Sequence, residues 1–140
     1  MNARSATRLY AALLAACATF AGCGSGLTTS VVPSPDFDRY PPAAFDYRLE
    51  ILAEAPPEKY AVVGFIQVRS ARPKPIQTLI TELTMAARKL EAHAVIPPKR
   101  KNANVGDTHN PLRAYFMQDS AQGQLVEAFA IRYPPGAPSE

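Results

Sequence analysis

The chain has 140 residues, 47% of them hydrophobic and 19% charged, with 15 Lys plus Arg against 12 Asp plus Glu for a formal charge of +3. That length suits one domain and excludes a large α/β barrel, which needs about 250 residues. Two cysteines, two histidines and no tryptophan exclude a Cys-rich disulfide scaffold and argue against a zinc site built from protein ligands alone, while fourteen prolines against seven glycines announce many edges and turns.

The first segment reads as an address. Met1 to Arg8 holds Arg4 and Arg8 and no acid, and Leu9 to Gly22 is a run of apolar and small residues. A charged start, a short apolar stretch and a small-residue exit describe a secretory signal. The run is too short for a membrane-spanning helix, which needs about 20 apolar residues. The segment resembles a bacterial lipoprotein signal, in which a small-residue lipobox precedes an acylated cysteine. Two cysteines fit. Cys23 follows Phe20-Ala21-Gly22, leaves the fuller apolar run before it, and precedes Gly24-Ser25-Gly26. Cys17, after Leu14-Ala15-Ala16, is the alternative and matches the usual lipobox residues more closely. The expectation is a signal peptide over 1–22 and lipidation of Cys23. Several acyl chains on one residue anchor a domain stably without spanning the bilayer. By resemblance to lipoprotein sorting, Gly24 in place of Asp implies the periplasmic face of the outer membrane.

Losing Arg4 and Arg8 lowers the 15 basic residues to 13 against 12 acidic ones, a net charge of +1. Basicity therefore gives no support to nucleic-acid binding. Residues 23–43 mix Gly, Ser, Thr and Pro without periodicity and read as a flexible tether, with strand pairing of Val31-Val32 as the alternative. The tail, 134–140, is Pro-rich and cannot continue a strand or helix.

Residues 44–133 read as one α+β domain. Phe45 to Leu52 alternates apolar and polar residues, as a half-buried strand does. Tyr60 to Val68 is nearly all apolar, as in a central strand, and Gly64 inside it marks a bulge or a close approach by another element. Pro73-Lys74-Pro75 introduces a helix, with Ile76, Leu79, Ile80, Leu83, Ala87 and Leu90 on one stripe. Ala86 and Ala87 would let that helix sit close to the sheet over Gly64. Ala94-Val95-Ile96 begins a strand that Pro97-Pro98 ends, and a polar stretch runs from Lys99 to Asn110. Arg113–Gln118 and Gln124–Arg132 read as two strands around a hairpin turn at 119–123. Val126, Ala128, Ala130 and Arg132 share one face of the last strand; Leu125, Glu127, Phe129, Ile131 and Tyr133 share the other. The expected architecture is a two-layer sandwich, one amphipathic helix on a four- to five-stranded mixed sheet. If the strands at 62–68 and 94–96 are parallel neighbours, their crossover is right-handed.

Three segments carry a family resemblance: Tyr60-Ala61-Val62-Val63-Gly64-Phe65-Ile66, then Ala87-Arg88-Lys89-Leu90-Glu91-Ala92-His93-Ala94-Val95-Ile96, then Ala128-Phe129-Ala130-Ile131-Arg132-Tyr133. The chain resembles small bacterial envelope lipoproteins of the superfamily that holds the Rcs-pathway sensor lipoprotein and small domains named for heavy-metal binding. Glu91 stands where that pattern has a helix-closing Gly, and His93 where it has Asn. The mature chain lacks the cysteines that form the Rcs sensor's disulfides, so Rcs signalling does not carry over.

The residues offer little chemistry. No serine sits in a Gly-x-Ser-x-Gly motif, no carboxylate pair is marked out, and no glycine-rich loop precedes a helix. An enzyme is not expected, and no cofactor. His93, at the helix–strand junction, is placed to cap helix carbonyls. His93, Asp107 and His109 form a weak alternative metal set lacking a third ligand at diagnostic spacing. Lys99, Arg100 and Lys101, with Arg113, form the main cluster of positive charge and a candidate contact for lipid phosphates or an acidic partner. Arg69, Arg72 and Lys74 form a second basic group. The functional expectation is a lipid-anchored, non-catalytic periplasmic module that binds a protein or an envelope component. A small-ligand or metal-binding domain is the alternative, and an envelope hydrolase a more distant one.

Overall fold

The computed structural model describes residues 20–21, 26–98 and 111–136. In chain order the elements are β1 (Phe20–Ala21), β2 (Leu27–Pro33), β3 (Glu50–Ile51), β4 (Ala61–Ser70), α1 (Ile76–Lys89), β5 (Ala94–Ile96), α2 (Pro111–Phe116), β6 (Met117–Ser120) and β7 (Gly123–Arg132). The seven strands make one mixed sheet in the order β1-β2-β4-β7-β5-β3, with β6 also on β7. Among the described residues, only the β3–β5 pair is parallel. One layer of helix on one sheet is the α+β sandwich expected, with more strands than the four or five foreseen.

The stripe on α1 behaves as its spacing predicts. Leu79, Ile80, Leu83, Ala86 and Ala87 are buried against the sheet. There they meet Val63, Ile66 and Val68 of β4 and Val126, Ala128 and Ala130 of β7 in the main core. Both expectations for Gly64 hold. The β4–β7 register shifts between Val62 and Gly64. A Cβ on Gly64 would also stand 2.7 Å from Leu90 Cδ1 and 3.3 Å from the Val32 carbonyl, so the helix end rests on bare backbone. The lead into α1 is pinned by one side chain: the Lys74 N–H donates to Gln124 Oε1 at 2.8 Å, and Gln124 Nε2 donates back to the Lys74 carbonyl at 3.2 Å.

The helix closes on Glu91, whose φ is 51°. The Glu91 N–H donates to the Arg88 carbonyl and the Ala92 N–H to the Ala87 carbonyl. These are the two bonds of a Schellman ending, in which the left-handed position is ordinarily glycine.

Three sequence expectations are corrected. Residues 23–43 are not a tether throughout, and the domain begins well before residue 44. Leu27–Pro33 pairs along β4 from Leu27↔Ser70 to Pro33↔Gly64, which bears out the alternative for Val31-Val32. Its Leu27 and Val31 bury on the α1 side, an alternation that the surrounding Ser, Thr and Pro mask in the sequence. The strand expected over Phe45–Leu52 shrinks to Glu50–Ile51. Its only partner, β5, is three residues long and ends where Pro97 and Pro98 offer no N–H. Arg113–Phe116 is helical, because Leu112, Tyr115 and Phe116 recur at helical spacing and turn toward the core, leaving Met117–Ser120 as the strand. The condition set for a right-handed crossover does not arise, because β4 and β5 are parallel but not neighbours: β7 lies between them, antiparallel to both.

Candidate functional site

Among the described residues, no helix packs across the face of the sheet opposite α1, and only the short α2 reaches its margin, through Tyr115. On that face Ala94, Ile96 and Ile131 form a second, smaller core, flanked by half-buried Leu52, Tyr60, Val62, Phe129 and Tyr133. This follows the two-sided alternation of β7, which sends Val126, Ala128 and Ala130 to the helix and Phe129, Ile131 and Tyr133 to the other side. Beside this core lies a groove of about 710 Å³. Tyr60 and Val62 enter from β4, Phe129 from β7, Ile96-Pro97-Pro98 from the end of β5, Tyr115 from α2, and Ala53-Glu54-Ala55 from the chain after β3. Phe129 also packs on Phe65, ring centres 5.0 Å apart. The lining residues are mostly apolar, with Glu54, Tyr60 and Tyr115 the ones that carry polar side-chain groups, which is the usual make-up of a recognition groove.

Next to it His93 is enclosed by Tyr47 and Tyr133, ring centres 4.8 and 5.7 Å away. The Tyr133 N–H donates to His93 Nδ1 at 3.3 Å, and the His93 N–H donates to the Ile131 carbonyl at 2.9 Å. Burial, and then the Arg132 cation, hold the imidazole below its ordinary pKa of 6.5. Burial, with the Glu50 carboxylate and then Tyr47 and Glu58, pushes Tyr133 up to about 12. Tyr47 is raised by burial and by Glu50. His93 is thus a neutral packing residue with one ring nitrogen already engaged, and it does not cap the helix.

Arg132 does. Its side chain is 2% exposed. Nη2 donates to the Leu90 carbonyl at 2.7 Å and Nε to the Glu91 carbonyl at 3.1 Å, closing the end of α1. Nη1 donates to the carbonyls of Phe37 at 2.9 Å and Tyr40 at 3.2 Å, and the guanidinium lies 4.5 Å from the Phe37 ring centre. One fork therefore ties the helix end to the segment after β2. The sequence did carry a signal for this: Arg132 is in phase with the core residues Val126, Ala128 and Ala130.

Of the residues singled out for chemistry, Arg113 is exposed on α2 and shares a shallow depression of about 570 Å³ with Lys74, Gln124 and the Pro73–Pro75 lead into α1. The structure so brings Arg113 beside Lys74, one member of the second basic group. Lys99, Arg100, Lys101, Asp107, His109, Cys17 and Cys23 lie outside the described residues. Among the described residues no group of three His, Cys, Asp or Glu could hold a metal ion, and no helix is long and apolar enough to cross a membrane.

Comparison with protein families, curated proteins and solved structures finds no match.

Proposed function

We propose that this chain is a lipid-anchored, non-catalytic module of the bacterial cell envelope, held at the outer membrane by acyl chains on Cys23 and binding an envelope protein or component through the helix-free face of its sheet. The groove between β4, β5, β7 and α2 carries this reading. An aromatic-lined apolar groove that none of the described residues fills has the make-up of a recognition surface. Glu54 in its wall, with Glu50 and Glu58 acting on nearby Tyr133, favours an apolar partner surface with basic residues at its margin. The resemblance to small envelope lipoproteins supports the same assignment. A volume of about 710 Å³ also suits a small apolar ligand, which is the second reading.

The test has two parts. Intact-mass analysis of membrane-extracted protein, with Cys17→Ser and Cys23→Ser variants, reads the anchor; unlipidated, freely released protein refutes it. A photo-crosslinking residue replacing Tyr60 then captures what occupies the groove in cells. The reading expects one recurring envelope species, lost with Phe129→Asp and absent when the probe replaces exposed Gln77 on α1. Equal capture from both positions refutes the groove as the recognition surface.

A further inference from the structure

The two long borders of the sheet are built differently. One ends in β3, two residues long and opening on Glu50, a short charged border of the kind that resists pairing with other chains. The other is β2, Leu-Thr-Thr-Ser-Val-Val-Pro, seven residues without a charge and with proline only at its end. Thr28 is exposed and Val32 is 52% exposed. Such a strand turns a row of N–H and C=O groups outward and is a template for another strand. In the full chain part of that row is taken: Phe20 pairs with Thr29 and Ala21 with Thr28, antiparallel.

Those two residues belong to the segment that a signal peptidase removes if the chain matures at Cys23. We propose that maturation uncovers the outer edge of β2 and that a second copy of this chain takes the vacated place, β2 pairing antiparallel with β2 of its partner so that two sheets become one. The inference rests on the Cys23 reading. The occupant follows from the edge itself. The strand carries no charge to steer a partner of opposite sign, whereas an antiparallel two-fold pairing of this edge with itself is self-complementary. Complete overlap centres on Ser30 and sets Thr28 of one copy against Val32 of the other on the helix-free face, with no like charges opposed. Acyl anchors confine all copies to one leaflet and raise their effective concentration.

The experiment uses mature lipoprotein from cells expressing the full chain. Intact mass gives its first residue, and light scattering in detergent gives its oligomeric state. A chain starting at Cys23 with twice the protomer mass is expected. The T28K/V32K and T28E/V32E variants, changed only at exposed positions, should each fall to one protomer mass, and mixing the two should restore the doubled mass. As a second measurement, Ser30→Cys should give a disulfide-linked dimer in membranes while Gln77→Cys does not, because directly opposed strand residues stand about 4.5–5.5 Å apart at Cα, within disulfide range. A chain that starts at Cys23 but stays monomeric, with no Ser30→Cys crosslink, overturns the inference and leaves the anchor standing. So does a dimer indifferent to both charge variants. A chain that starts at Cys17 keeps Phe20–Ala21 and overturns both.

Discussion

Replacing Arg132 by Met keeps most of the side-chain volume and removes the guanidinium, and with it four hydrogen bonds to the carbonyls of Phe37, Tyr40, Leu90 and Glu91. Hydrogen bonds to a charged group are each worth about 1.5–3 kcal/mol, but the four share one group and do not add. Water can reach some of the freed carbonyls, since Glu91 and the segment around Phe37 lie at the surface. A loss of about 3–5 kcal/mol follows, more than one such bond and well below the sum of four. A domain of this size holds about 5–15 kcal/mol, so the variant should remain folded but with its urea midpoint sharply lowered at unchanged slope. The Glu91 carboxylate, 3.6 Å from Nη2 and 58% exposed, contributes little beside this. Glu91→Gln should therefore cost under about 0.5 kcal/mol. Hydrogen exchange should rise first in residues 34–43 and at the end of α1, the two segments that the fork joins. An Arg132→Met variant within 1 kcal/mol of the parent, or a Glu91→Gln variant as damaged as it, would refute the argument that carbonyl capping and not the ion pair holds this corner.

Three further outcomes are expected. Gly64→Ala should cost about 1–3 kcal/mol in chemical denaturation through its clash with Leu90 Cδ1, and should cost less when Leu90 is already Ala. Glu91→Gly should raise stability by up to about 1 kcal/mol, read by thermal melting, because glycine adopts the φ of 51° without strain. His93 has a folded pKa below its unfolded value of 6.5, so the unfolded chain binds the extra proton between those two values. Its contribution to stability should be complete above pH 6.5, fall as the pH drops through that window, and level off below the folded pKa; in His93→Phe melting temperatures over the same range should lose that component.

The helix, the central strands and the two faces of β7 were legible because each is written in local periodicity. Ile76 to Leu90 needs no partner to show its stripe, and Gly64 betrayed its role by interrupting an apolar run. What was missed depends on pairing across long separations. β2 exists because it lies along β4, and its outward residues are Thr and Ser, which read equally well as linker. Phe45 to Ile51 has the alternation of a strand but only the three residues of β5 to pair with, so partner length overrode pattern. The groove was invisible as a site. Tyr60, Phe129 and Tyr115 each look like ordinary core aromatics, and their meeting in one groove depends on the pairing of distant strands. Arg132 was visible as a position and not as a function, because its four acceptors are backbone carbonyls, which no side-chain motif records.

That β2 begins at Leu27 sets a leash. If Cys23 carries acyl chains, as proposed, only Cys23 to Gly26 separate lipid from sheet, a span of at most about 14 Å when fully extended. The headgroup region of one leaflet is itself about 5–8 Å deep. A domain so moored skims the bilayer and cannot cross a wide compartment to find its target, so whatever it recognises must come down to the membrane surface.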